Sequence, residues 1–220
     1  MQYTPTAGRK AATAILAVIT WFALALQLKL SVESTPTTGF TATKTVINFF
    51  SYFTILSNLL VALTLTIPLL SPHSTIGRFF SHPRVSSGIA VYIFIVGLVY
   101  NLVLRSIWSP AGWQLAADNL LHVVVPLAYV VLWAVITPRH VLYWKDLLPW
   151  LFFPALYLAY SLARGPVAHW YPYPFVDVDK FGYGKVALNS FFVLIAIITV
   201  GAGVIALNRR GIKQPETSKR

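Results

Sequence analysis

Long apolar stretches broken by short polar clusters set the pattern of this 220-residue chain. Six stretches match the roughly twenty residues that a helix needs to cross a hydrocarbon core: residues 11–30, 45–70, 87–107, 118–137, 147–163 and 188–207. Turn formers separate them, as in Thr35-Pro36, Ser71-Pro72, His82-Pro83, Ser109-Pro110-Ala111-Gly112 and Thr137-Pro138. The pattern predicts an all-α polytopic membrane protein. One six-transmembrane-helix bundle spans residues 1–207, followed by a basic, polar tail at 208–220 whose composition is that of a disordered segment.

Composition supports that reading, since 57% of residues are hydrophobic and only 10% charged, leaving almost no chain for a water-soluble domain. Arg9 and Lys10 precede the first apolar run in the manner of a secretory signal. The run is too long for a signal core and lacks a small-residue cleavage site, so it is read as a helix of the mature protein. No lipidation motif or internal repeat is evident. The longest loop runs from Arg164 to Lys185 and is rich in aromatic residues: Trp170-Tyr171-Pro172-Tyr173-Pro174-Phe175 precede Asp177 and Asp179.

The formal net charge is +11, and its distribution gives an orientation. With a cytoplasmic N-terminus, the inner segments hold Arg9, Lys10, Arg78, Arg84, Arg139, Lys145, Arg209, Arg210, Lys213, Lys219 and Arg220. The outer loops and flanks hold Lys29, Lys44, Arg105, Arg164, Lys180 and Lys185, together with Glu33, Asp118, Asp177 and Asp179. Both termini are therefore expected in the cytoplasm, and compact loops without an organelle signal fit a bacterial inner membrane. The basic residues flank spans and form no aromatic-interleaved patch, so nucleic acid is not an expected partner; membrane lipids are. The chain has no cysteine, which excludes disulfides and thiol chemistry. His73, His82, His140 and His169 lie in loops without metal-ligand spacing, and no metal or cofactor is expected.

Depth follows from the rise of about 1.5 Å per helical residue. The second span carries Asn48, Ser51, Thr54 and Asn58 on about a third of its circumference. The third meets Asn101 and Arg105 at its outer end. The fourth starts with Asp118, Asn119 and His122, and the fifth ends with Tyr157, Tyr160, Ser161 and Arg164. Polar groups thus gather in the outer half, above a mostly aliphatic inner half. A pore or proton relay needs polar groups at all depths, so the pattern predicts a one-sided pocket.

His122 is the sharpest of these positions, because ionisable groups at membrane depth are costly and are kept with partners or a wet cavity. Asp118 is four residues earlier, on the same helical face, where it would orient the imidazole. Thr54 lies at a similar depth, and a hydroxyl beside a base is the minimum requirement for acyl transfer. Asn58 would serve as an oxyanion donor and Arg105 would bind a substrate carboxylate. Asn119 completes the supporting residues, and Ser51, Asn101, Trp170 and Tyr173 complete the expected substrate-binding set. Blander roles stand beside these: Asn48, Ser51 and Ser57 as interhelical glue, Arg105 and Arg164 snorkelling to headgroups, and the loop aromatics as an interfacial belt.

Three stretches carry a family resemblance. Asn48-Phe49-Phe50-Ser51-Tyr52-Phe53-Thr54-Ile55-Leu56-Ser57-Asn58 resembles an aromatic-flanked Thr segment. Asp118-Asn119-Leu120-Leu121-His122, with Pro126 after it, resembles a His segment, although the interval to the proline is one residue shorter. Trp170 and Tyr173-Pro174-Phe175 resemble a loop motif before the last span. Together they are similar to the androgen-induced, androgen-dependent family of six-span membrane proteins, and mark the chain as resembling a bacterial relative of it. Studied animal members hydrolyse fatty-acid esters of hydroxy fatty acids with an intramembrane Thr and His. The resemblance implies a lipid-ester hydrolase with Thr54 as nucleophile and His122 as base, acting on a fatty-acid ester. A non-catalytic lipid-binding or transport protein using the same pocket is the alternative, and a purely structural polar cluster is the third.

Overall fold

The computed structural model describes residues 6–210, which form helices and no strand. In chain order they are α1 (Ala7–Glu33), α2 (Ala42–Phe49), α3 (Phe53–Leu70), α4 (Pro83–Leu104), α5 (Gly112–Ile136), α6 (Trp144–Ala168) and α7 (Val178–Arg209), with short helical turns between some of them. All but α2 are long and apolar enough to cross a membrane, making an all-α six-span bundle. Helices satisfy their own backbone hydrogen bonds, which is what a span without water requires.

The most buried span is α4, which packs against α3, α5 and α7, while α1 lies along α3 and also touches α5. Val61, Leu65, Val91, Ile93, Val125 and Ile205 form the centre of the core. Large apolar side chains also cover the outside, among them Ile15, Val18, Val131, Phe191 and Phe192. Helices that are apolar all round suit a lipid surround.

Close approach between α4 and α6 depends on Gly88. A Cβ there would lie 2.6 Å from Trp150 Cδ1. The indole cannot swing away easily, because its Nε1 donates to the Arg84 carbonyl at 2.9 Å and the Trp150 carbonyl accepts from Tyr92 at 2.9 Å. Gly88→Ala is therefore expected to destabilise the bundle by about 1–3 kcal/mol, read as a lower thermal midpoint in detergent. An unchanged midpoint would show that the helices can part at no cost.

The structure corrects four expectations. Residues 45–70 are not one helix: the chain breaks at Phe50-Ser51-Tyr52, where Tyr52 is extended (φ −83°, ψ 129°), and α3 starts afresh at Phe53. The fourth span starts at Gly112, so Asp118 lies beyond its first turn. The inner half is not merely aliphatic, since buried Asp146 pairs with Arg84 at 3.1 Å and buried Ser87 accepts from Trp133 at 2.8 Å. The tail does not begin at Asn208, because α7 continues to Arg209 and Asn208 is buried. The rest of the expected tail, 211–220, including Lys213, Lys219 and Arg220, lies outside the described residues.

Candidate functional site

The break between α2 and α3 makes Thr54 the second residue of an eighteen-residue helix. The first N–H groups of a helix lack intrahelical acceptors and carry the positive end of its dipole. No side chain of Tyr52 caps this end. Tyr173 does so instead, from the α6–α7 loop: Thr54 N–H donates to its phenolic oxygen at 3.0 Å, and the Thr54 hydroxyl hydrogen-bonds the same phenol at 3.0 Å. Burial pushes the Tyr173 phenol up to about 12, so it is a neutral hydrogen-bonding group at physiological pH. Thr54 itself is buried.

His122 sits where α5 widens into a π-turn over Leu120–Val124. Pro126 supplies a reason: it has no N–H to give the His122 carbonyl, and its ring disfavours regular helix just before it. A matching wide turn at Tyr100–Leu104 ends α4. Such turns re-aim side chains and recur at functional sites. Here the Tyr100 ring stacks on the imidazole, with centroids 4.1 Å apart and planes 16° apart. Gly97 permits this approach, since a Cβ there would lie 3.2 Å from the His122 carbonyl oxygen.

Buried Asp118 joins the pair. One carboxylate oxygen accepts from the Tyr100 hydroxyl, and the other lies 3.3 Å from His122 Nδ1. Nδ1 is also 3.0 Å from the Asp118 carbonyl oxygen. Both neighbours of Nδ1 are acceptors, so the proton of the neutral ring belongs on Nδ1 and the lone pair on Nε2. No protein group among the described residues hydrogen-bonds Nε2. That is the tautomer a general base needs.

Asn58 connects the two halves. Its Nδ2 donates to the Thr54 carbonyl at 2.9 Å and to the Leu121 carbonyl at 3.2 Å, tying the first turn of α3 to the residue before His122. The helices bearing Thr54 and His122 therefore meet. The two side chains do not hydrogen-bond each other, and the Thr54 hydroxyl is engaged by Tyr173 instead.

Thr54 and Tyr173 stand in the wall of a half-open cavity of about 720 Å³ bordered by α3, α4, α6, α7 and the α6–α7 loop. Its lining is otherwise largely aliphatic and aromatic, including Phe53, Val96, Leu158, Leu162, Val186 and Ile197. Tyr157, Tyr183 and Ser190 supply the remaining hydroxyls. A largely apolar hollow with a few convergent polar groups is the usual form of a small-molecule site. His122 and Asp118 are not part of its wall.

The other expected site residues divide sharply. Both amide hydrogens of Asn58 are committed to carbonyls, so it ties helices together and has none left for an oxyanion. Arg105 is exposed and donates to Asn101 at 3.0 Å, while exposed Asn101 donates to the Gly97 carbonyl at 2.8 Å; the expected carboxylate binder Arg105 and the expected substrate contact Asn101 both lie off the cavity. Ser51 is buried and hydrogen-bonds Tyr160 at 2.7 Å as interhelical glue. Asn119 is half-buried and makes no side-chain hydrogen bond among the described residues. Trp170 packs edge-on to Tyr52 beneath Arg164.

Two contributions escaped the sequence reading. Tyr100 stacks on His122, and its only signal was a tyrosine in an apolar span, whose hydroxyl needs a partner. Arg164 was read as a snorkelling cation, yet it donates to buried Asn48 at 2.6 Å. Among the described residues no group of three His, Asp or Glu could hold a metal ion. Comparison with protein-family models, with curated proteins and with solved structures returns no match.

Proposed function

We propose that this protein takes the acyl chain of a lipid ester into the cavity and hydrolyses the ester at Thr54, with His122 as base. The observation that carries the reading is a buried hydroxyl at a helix N-terminus on the wall of an apolar cavity, one helix contact away from a carboxylate-oriented histidine. The resemblance of the Thr, His and Tyr-Pro-Phe segments to the androgen-induced family supports the same assignment, and with it a bacterial inner-membrane setting.

In this mechanism the substrate carbonyl displaces Tyr173 from the Thr54 hydroxyl, and His122 Nε2 comes within reach. Catalytic hydrogen bonds commonly tighten only once substrate is bound. Thr54 Oγ1 attacks the carbonyl carbon while its proton passes to Nε2. The oxyanion forms at the positive end of α3, where the Tyr173 phenol can donate to it. Collapse expels the alcohol, which takes the proton from His122. Water, deprotonated by His122, then cleaves the acyl-threonine and frees the acid and the Thr54 hydroxyl. Asp118 stabilises the imidazolium in both halves.

The test is hydrolysis of a panel of fluorogenic acyl esters and fatty-acid esters of hydroxy fatty acids by the purified protein in detergent, beside Thr54→Ala. Turnover by the wild type and none by a folded variant is the expected result. Turnover that survives in Thr54→Ala would remove Thr54 as nucleophile. A second reading, lipid binding or transport without catalysis, is favoured by the Thr54–Tyr173 bond and by the position of His122 off the cavity wall. It predicts no turnover on any ester, together with acyl-chain binding that Thr54→Ala leaves largely intact.

A further inference from the structure

Arg164 lies at the outer end of α6, half-buried, with its guanidinium 5.1 Å from the Trp170 ring. Its only hydrogen bond among the described residues goes to Asn48 Oδ1 at 2.6 Å, and no carboxylate lies within ion-pair distance. A cation withdrawn from water without a counter-charge is costly. Its partner shows a complementary deficit. Because Oδ1 accepts from Arg164, the orientation of the Asn48 amide is set, and Nδ2 is left as a buried donor without an acceptor. Buried unsatisfied donors of this kind call for an explanation. Two adjoining groups therefore offer donors and positive charge, and neither has an anion.

The position relative to the cavity narrows the ligand. Trp170 packs edge-on to Tyr52 at 5.5 Å, and Tyr52 packs edge-on to Tyr173 at 5.6 Å, so one aromatic layer separates Arg164 from the Thr54 end of the cavity. Leu158 and Leu162 lie on the same helix as Arg164 and line the cavity. Neither Arg164 nor Asn48 stands in the cavity wall, so a head group held by them joins a chain in the hollow past the Trp170–Tyr52 pair.

We propose that Arg164 and Asn48 form a binding site for the anionic head, a carboxylate or phosphate ester, of a single-chain amphiphile whose tail enters the cavity. This rests on the reading that the cavity holds an acyl chain, and it stands whether or not Thr54 is catalytic. Arg164 would pair with the anion through its uncommitted N–H groups, and Asn48 Nδ2 would supply a neutral hydrogen bond.

The test is equilibrium binding of radiolabelled palmitate, its methyl ester and inorganic phosphate to the full chain in phosphatidylcholine nanodiscs. Arg164→Gln removes the charge. Asn48→Asp keeps the acceptor for Arg164 but neutralises the site, and serves if the first variant does not fold. Palmitate is expected to bind more tightly than methyl palmitate, and either variant to weaken palmitate by about tenfold or more while leaving the methyl ester unchanged. Equal binding of acid and methyl ester, or palmitate binding indifferent to both substitutions, overturns the site. Inorganic phosphate binding as tightly as palmitate would make it a site for a free anion and overturn the lipid head. Arg164-dependent palmitate binding that competes fully with phosphate, with no binding of the methyl ester, would retain the anion site while sinking the cavity reading.

Discussion

His122→Ala is expected to lower kcat/KM for the best ester substrate by roughly 10⁴ or more, with little change in the folded state, if the hydrolase reading holds. Attack requires a lone pair to take the proton of the Thr54 hydroxyl, and Nε2 carries the one that the acceptors around Nδ1 leave available. Asp118→Asn should cost less, about ten- to a hundredfold. The Asp118 carbonyl oxygen, 3.0 Å from Nδ1, survives that change and still holds the productive tautomer, so only the charge that stabilises the imidazolium is lost. Groups that act as one unit are not additive. The double variant Thr54→Ala/His122→Ala is therefore expected to be no slower than either single variant. Near-normal turnover in His122→Ala would remove it as the base, and multiplicative losses in the double variant would show that the two residues act separately.

Asn208→Leu is expected to be the most damaging single change for the fold outside the site. Asn208 Oδ1 accepts from Val141 N–H and Leu142 N–H, both at 3.1 Å, and its Nδ2 donates to the Pro138 carbonyl at 2.7 Å. One side chain thus ties the end of α7 to the α5–α6 loop, in a place where Leu142 is wholly buried. Leucine matches the volume but orphans two donors and an acceptor, at a cost of about 2–5 kcal/mol. Asn208→Asp retains the acceptor for both amides, loses the donation to Pro138 and sets a buried carboxylate oxygen against that carbonyl, so it should fall between the two. Unfolding midpoints in detergent would order wild type above Asp above Leu. Indistinguishable midpoints would mean that water replaces these bonds without cost.

The apolar stretches were sufficient to count the six spans and place their centres, though not all their ends, because a segment that crosses hydrocarbon must be long and apolar whatever it packs against. They were also sufficient to single out Asp118 and His122, since the four-residue spacing places two polar groups on one face before any neighbour is known, and the structure puts Nδ1 3.3 Å from the carboxylate. What the sequence did not disclose was the break before Thr54. Phe50, Ser51 and Tyr52 are compatible with a helix, yet the chain leaves it there, and a phenol from the distant α6–α7 loop satisfies the N–H of Thr54. Arg105 and Arg164 were likewise indistinguishable as basic residues near span ends. Packing directs one outward to Asn101 and buries the other against Asn48 and Trp170. Length and periodicity are local properties of the chain, so the sequence by itself determined the class, the spans and the Asp–His pair. Which polar groups share a cavity, and which are spent on holding helices together, depends on contacts between residues far apart in the chain, and only the tertiary structure decided it.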